Sequence, residues 1–303
     1  MIIKVLGSAA GGGFPQANCN CRNCADVRAG RPGLLPRTQS SLAVSRDGER
    51  WVLLNASPYL RQQIAACPKL APRSDRGPRS SPIEAVVLTN GDVDHVAGLL
   101  SLRESFSFTL YASARVLEAL AANGIFNVLS RQAVSRIALP LGRTIEVAGG
   151  LSVEAYPVPG KVALYLEQTG PEFGTQEGDS IGLEVSDPQT GAALHYIPGC
   201  AAVDVGLASR LRGAALVLFD GTLYTDEEMI AQGLSDKTGG RMGHISMSGA
   251  QGSMAVFEAL GVKRRIYVHM NNSNPVLRED SPERAHVQSA GWEIAHDGME
   301  IRL

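Results

Sequence analysis

Val86-Val-Leu-Thr-Asn90-Gly-Asp92-Val-Asp94-His95-Val-Ala-Gly-Leu-Leu100 is the stretch whose reading decides the fold. An apolar strand, read over Ala85–Leu88, runs out into a loop bearing an amide, two carboxylates and an imidazole. Helical spacing then begins at once and is expected over Val96–Phe106. Strand, ligand-rich loop and helix together present side chains at the carboxyl edge of a sheet, a usual place for active sites in α/β proteins. The competing reading is an Asx-rich turn that caps the helix, with His95 merely packed.

Outward from this segment the chain alternates strands and helices. Upstream, Ile2–Leu6 is a strand, and Ser40–Val44 and Trp51–Asn55 form a hairpin across the polar turn Arg46-Asp-Gly-Glu-Arg50. Pro58–Cys67 has helical spacing, and Pro68–Pro82 is a polar loop. Downstream, the pattern predicts strands at Thr109–Ala112, Arg136–Leu139, Thr144–Val147 and Leu151–Pro157, with a helix over Ala114–Asn123. Further strands are expected at Ile181–Ser186, Ala193–Ile197, Ala215–Phe219 and Arg265–His269, with a helix over Ser248–Leu260. A short helix from Val287 to Ala290 and strands at Trp292–Ala295 and Met299–Leu303 close the chain. Two series of strands with helices between and after them predict two sheets covered by helices. Periodicity alone leaves a doubly wound sheet open.

Composition bounds the rest. With 303 residues, 44% of them hydrophobic, the chain is expected to be one domain, 1–303, with a full core. A formal charge of −2 gives no field to recruit nucleic acid or an anionic membrane. The 5% aromatic content is too low for a base-stacking platform. No apolar run approaches the roughly 18 residues of a membrane span. Met1-Ile-Ile-Lys-Val-Leu-Gly7 reads as a strand rather than a signal peptide, so a cytoplasmic location is expected.

The five cysteines are Cys19, Cys21, Cys24, Cys67 and Cys200. Their odd number and the tight C-x-C-x-x-C cluster argue for metal rather than disulfides. Zinc takes four tetrahedral ligands, so three thiolates need a distant fourth. His269, at the end of an apolar strand, is the leading candidate, and His195 is the second. The plainer alternative is three small buried or reactive thiols. A structural zinc here would fasten a loop too polar to pack by itself. Gly7-Ser-Ala-Ala-Gly-Gly-Gly13 lacks the lysine and hydroxyl of a phosphate loop and is read as a tight loop near the cleft floor. Asp220 ends an apolar strand, as Asp94 follows one, and is a ligand candidate against a turn aspartate. Cys200 is expected to be buried and inert.

The Thr89–His95 loop resembles the H-x-H-x-D-H signature of the metallo-β-lactamase superfamily. Asn90 and Asp92 stand where two histidines are usual, while Asp94 and His95 are retained. The resemblance implies an αββα four-layer sandwich. Carboxylate and amide in place of imidazole harden the site and favour iron or manganese over zinc. Asp92 and His95 with one further carboxylate, such as Asp220, would approach the non-haem Fe(II) ligand type. Gly243-His244-Ile-Ser resembles the segment in which the superfamily places an acid–base histidine. His269 occupies the place of a late metal-binding histidine. A one-residue shift there reverses the face, so His269 serves either the cleft or the cysteines. Gly199-Cys200 lies where an aspartate bridging two metals is usual, which argues against a dinuclear hydrolase. Lys161 lies where another histidine is usual and is read as an anion contact, against a plain surface lysine.

Asn18-Cys-Asn-Cys-Arg-Asn-Cys24, Asn55-Ala-Ser-Pro58, Phe219-Asp-Gly-Thr222 and His269-Met-Asn-Asn-Ser-Asn-Pro275 add to these segments. Together they resemble the pyrroloquinoline quinone biosynthesis protein B family over the whole chain. The cysteine cluster is also similar to that of the phosphodiesterase branch containing the carbon–phosphorus lyase accessory protein. The resemblance implies a role in making the quinone cofactor from a ribosomal precursor peptide. Asp92, Asp94, His95 and Asp220 would form or support an Fe2+ site, His244 would move protons, and Asn90 and Lys161 would contact cofactor or substrate. The expected activity is oxygen-dependent hydroxylation of the precursor's tyrosine or of a Glu–Tyr unit. Expected partners are that peptide or small molecule, the other proteins of quinone assembly and a second copy of the chain, without nucleic acid or membrane. The alternatives are a carrier of the quinone or its precursor, without turnover, and a metal-dependent hydrolase.

Overall fold

Trp51-Val-Leu-Leu54 contains no polar residue, and its alternation shows how the layers form. Trp51 and Leu53 enter one apolar cluster, and Val52 and Leu54 enter another on the opposite face. A strand buried on both faces needs cover on both, which produces a sheet between a second sheet and a helical layer.

The computed structural model describes residues 1–104, 106–167 and 175–303. Its strands are β1 (Ile2–Gly7), β2 (Ser41–Ser45), β3 (Trp51–Leu54), β4 (Ile83–Val87), β5 (Phe108–Ala112), β6 (Val134–Ala138) and β7 (Thr144–Glu146). They continue with β8 (Ser152–Pro157), β9 (Ile181–Ser186), β10 (Ala193–Ile197), β11 (Val217–Asp220), β12 (Arg265–Val268), β13 (Trp292–Ile294) and β14 (Glu300–Arg302). One sheet runs β14-β1-β2-β3-β4-β5-β6, and the other β13-β12-β11-β10-β9-β8-β7. The α-helices are α1 (Arg22–Arg28), α2 (Leu60–Ala66), α3 (Val93–Val96), α4 (Ala114–Ala122), α5 (Val205–Leu211), α6 (Glu228–Ala231), α7 (Ser253–Glu258) and α8 (Pro282–Ser289).

Between the sheets, Val5, Leu42, Val52, Leu54 and Val87 meet Val153, Leu183, Leu194, Leu218 and Ile266 in one cluster. Leu60, Leu99, Val116 and Leu120 cover the outer face of the first sheet. Leu207, Leu211, Met254, Phe257 and Val287 cover that of the second. This is the expected αββα layering, and the doubly wound alternative is excluded. No helix among the described residues is long and apolar enough to cross a membrane.

The expected elements differ in detail. The helix expected over Val96–Phe106 is instead α3 followed by a 3-10 segment, Ala97–Leu102; Ser105 lies outside the described residues. Within that segment Gly98 lies against the Ser57 carbonyl oxygen, an approach that leaves no room for a side chain. The helix expected at Val287–Ala290 is the longer α8, capped by Ser281 with Pro282 in its first turn.

Parallel pairing aligns the carboxyl ends of β3 through β6 in one sheet and of β10 through β13 in the other. Ile181 donates its backbone N–H to the Thr89 carbonyl at 2.9 Å, which stitches the two sheets together at that edge. The ligand-bearing loops are therefore brought to a common rim.

Candidate metal centre and cleft

Three of those strand ends supply the centre. β4 feeds the Thr89–His95 loop, β11 ends at Asp220, and β12 ends just before His269. His269 has a left-handed backbone, φ 59°, which breaks strand alternation and turns its ring into the rim. Asp94 Oδ2 lies 3.0 Å from His269 Nε2 and 3.7 Å from His95 Nε2. Asp94, His95 and His269 thus form a group whose ligand atoms lie within 4.8 Å of one another.

Each histidine is held by its other nitrogen. His95 Nδ1 lies 2.6 Å from Asn90 Oδ1, which can only accept, so the proton sits on Nδ1 and the Nε2 lone pair faces Asp94. Buried His95 Nε2 has no hydrogen-bond partner among the described residues. His269 Nδ1 lies 2.9 Å from the Thr222 hydroxyl, which itself donates to Asp220 Oδ1 at 2.7 Å. Burial drives the His95 pKa down to about 4, keeping the ring neutral. Burial opposes the charge on Asp94, but His95 and His269 outweigh it and hold the carboxyl well below its ordinary range. Burial likewise opposes a charged His269, yet the Asp94 hydrogen bond and the charges of Asp94, Asp220 and Asp92 raise its pKa. One carboxylate and two imidazoles with an orphaned lone pair between them fit a divalent cation of the iron, manganese or zinc type.

Asp220 is fully buried, and its oxygens are already occupied. Oδ2 accepts from Cys200 N–H at 2.9 Å and from His244 Nδ1 at 2.7 Å, and Oδ1 accepts from Thr222 N–H and the Thr222 hydroxyl. Asp220, His244 and His269 form a second close group. Because Asp220 Oδ2 fixes His244 Nδ1, the other ring nitrogen is the one left to exchange protons; His244 lines the cleft and Asp220 does not. Asp92 lines the cleft as well but joins neither close group. Its Oδ2 accepts from Asn90 Nδ2 at 3.0 Å, and burial together with neighbouring Asp94 raises its pKa.

The cleft encloses about 480 Å³. Ala10, Gly11 and Gly12 line it, as expected of the glycine-rich loop, and so does Lys161. Cys200 is buried, and burial pushes its thiol pKa well up.

Cys19, Cys21 and Cys24 form a third close group, and His269 is not in it. The expected fourth partner is thus corrected: the left-handed turn at His269 commits its ring to Asp94 and Thr222. His195, the second candidate, is also elsewhere, 3.0 Å from the Tyr156 hydroxyl on the second sheet. Asn272, three residues past His269, takes the place at the thiols. Its Nδ2 lies 3.1 Å from Cys19 Sγ, 3.5 Å from Cys21 Sγ and 3.4 Å from Cys24 Sγ. Sequence reasoning missed Asn272 and Thr222, although both stand in the quoted Asn-Asn-Ser-Asn and Asp-Gly-Thr runs.

A beta-lactamase superfamily domain model matches residues 50–270. Coenzyme PQQ synthesis protein B of Methylobacterium nodulans is 53% identical over 299 residues, 99% of each chain. The chain belongs to the coenzyme PQQ synthesis protein B family. A crystal structure of Zn2+-bound PqqB from Methylobacterium extorquens shares 51% identity with it and superposes at a TM-score of 0.96, both chains covered in full. A diphosphatase of the PhnP family, 21% identical with a TM-score of 0.69, covers all of this chain and 97% of its own; that likeness is one of fold alone.

Proposed function

We propose that the chain acts in coenzyme PQQ synthesis as an iron- and oxygen-dependent hydroxylase of a tyrosine or tyrosine-derived substrate, with zinc at the three cysteines. The observation that carries the reading is the convergence of Asp94, His95 and His269, with the buried His95 Nε2 lacking a hydrogen-bond partner among the described residues. Two histidines and one carboxylate are the ligand type of non-haem Fe(II) oxygenases. This set replaces the combination of Asp92, His95 and Asp220 expected from sequence.

Iron held there supplies the activation of dioxygen, chemistry that side chains alone cannot provide. The chain's own residues do the rest. Asn90 and Thr222 fix the tautomers of His95 and His269. Asp220 holds His244 so that its free ring nitrogen takes or returns a proton on the cleft side. Asp92 and Lys161 flank the substrate space. Placing one oxygen atom of O2 in a ring C–H bond and the other in water takes two electrons and two protons, so an external two-electron reductant is required.

At the cysteines, Cys19, Cys21 and Cys24 would hold the zinc, and the Asn272 amide, which lies against all three sulfurs, would be the side chain placed to complete its ligands. The zinc of the Methylobacterium extorquens protein supports a zinc role in the family.

The deciding assay loads iron anaerobically, then adds ascorbate, oxygen and a tyrosine-containing substrate. A product heavier by one oxygen atom is expected, carrying label from 18O2. Intact iron binding with no hydroxylated product rejects the hydroxylase and leaves a binding protein.

A further inference from the structure

The two groups of metal-ligand side chains share one short stretch of chain. His269 faces Asp94 at the rim, and Asn272, three residues later, lies against Cys19, Cys21 and Cys24. Asn272, Ser273 and Asn274 are all buried, so the stretch is held by protein around it.

It is pinned on both sides. On the thiol side, Asn23 sits inside the cysteine cluster on α1 and is 5% exposed. Its Nδ2 donates to the Asn272 and Asn274 carbonyls at 3.1 and 3.0 Å, one amide hydrogen for each. On the cleft side, Asn271 donates its backbone N–H to the Thr222 carbonyl at 3.0 Å. Asn274 Nδ2 donates to the carbonyls of Gly221 and Thr222 at 3.0 and 3.2 Å, and the Thr222 hydroxyl meets His269 Nδ1 at 2.9 Å. Met270 is clamped as well, donating to the Ser8 carbonyl at 2.9 Å and accepting from the Ala10 N–H at 2.8 Å. A left-handed histidine, φ 59°, persists only where its surroundings impose that conformation, and these contacts do so.

α1 has little of its own to hold it in place. It has seven residues, too few for a helix to stand alone in water, and it buries only Asn23 and Cys24. Three thiolates closing on one cation would fix Cys19, Cys21 and Cys24 relative to one another, and the Asn23 amide with them. Release of that cation frees α1, takes the Asn23 donors from the Asn272 and Asn274 carbonyls, and relaxes the backbone that aims His269.

We infer that the thiol site and the centre formed by Asp94, His95 and His269 are energetically coupled: a cation at either one tightens the other, and Asn23 is the positioning residue that transmits the effect. The inference rests on the metal assignments of the reading above and not on hydroxylation. Its physical basis is one element with two states, α1 docked and α1 loose, which both sites bias in the same direction. Linkage then requires the same factor in the two directions.

The test reads affinities and no turnover. Mn2+ serves as the cleft probe, because it favours carboxylate oxygen over thiolate. Its dissociation constant is measured on the full chain from the paramagnetic resonance signal of free Mn2+, first with zinc protecting the thiols from alkylation, then after the zinc is stripped. Stripping is expected to weaken Mn2+ binding about 5- to 150-fold. In the reverse titration, saturating Mn2+ should strengthen zinc binding at the thiols by the same factor, read against a chromophoric chelator. Both sites still fill when metal is in excess, so dissociation constants and not metal content report the coupling. Asn23→Ala should bring the factor close to one, whereas Arg22→Ala, exposed on the same helix, should keep it. The wild-type titrations stand without either variant. Mn2+ affinity that ignores zinc overturns the inference, as does a factor that survives in full in Asn23→Ala. Absence of Mn2+ binding in both forms overturns the inference together with the cleft metal centre. Coupling without any hydroxylated product under iron and oxygen would instead overturn the hydroxylase reading alone.

Discussion

Asn90 and Thr222 do not touch the position a cation would take, yet they decide which nitrogen each histidine offers. Removing the Asn90 carbonyl frees His95 to rotate and to place its proton on the wrong nitrogen. Asn90→Ala should lower metal affinity at the cleft about 10- to 100-fold, read by competition with a chelator. Thiol-site zinc should be unaffected. Asn272→Ala should do the reverse in elemental analysis, lowering zinc per chain while cleft iron loading persists. Asp94 and His95 were legible in the sequence because a strand running out into acidic and imidazole side chains has few other uses. The face of His269 was not legible. Alternation along β12 fails at its end, where a left-handed residue re-aims the ring, and no residue type in the run announces that turn. Thr222 and Asn272 were quoted in motifs but carried no chemical flag, since hydroxyls and amides are everywhere in loops.

The elements that carry these residues gain their precision from burial on both faces. β11 sends Leu218 into the layer between the sheets and Phe219 into the helical side. Leu218→Ala should cost about 2–5 kcal/mol, seen as a lower urea midpoint with little change in slope. Strands of this kind are the part of the fold that sequence displays best, because continuous apolar runs bounded by turns leave little choice. Helices were less clear. α8 buries only Val287, so its apolar spacing is faint, and its start is written in Ser281 and Pro282 rather than in periodicity. α3 gives way to a 3-10 segment in which Gly98 packs against the Ser57 carbonyl, a contact made across the fold and not visible locally.

At the scale of the whole molecule, one buried acid couples stability to pH. Glu228 sits on α6, accepting from Ser273 Oγ and from the Tyr224 N–H. Burial, against those hydrogen bonds, pushes its pKa from 4.5 up to about 7. The folded state therefore binds more protons than the unfolded state between those values, and stability from this group is full below pH 4.5 and lost as pH rises through 7. Thermal melts of the wild type and Glu228→Gln across pH 4.5 to 8 should show it. The wild type should lose ground to the variant as pH rises, and parallel curves would contradict the assignment.

The distances along the chain between partners carry one last consequence. Three thiols lie within the first 24 residues, and Asp94 and His95 within the first hundred, while His269 and Asn272 lie near the other end. On a translating ribosome, both half-sites emerge long before the segment that completes them, and β1 waits for β14 as well. Nascent chains stalled near residue 260 would thus expose thiolate and carboxylate clusters able to seize the wrong ion, and metal choice would be settled only when synthesis of the β12 segment joins the two ends of the molecule.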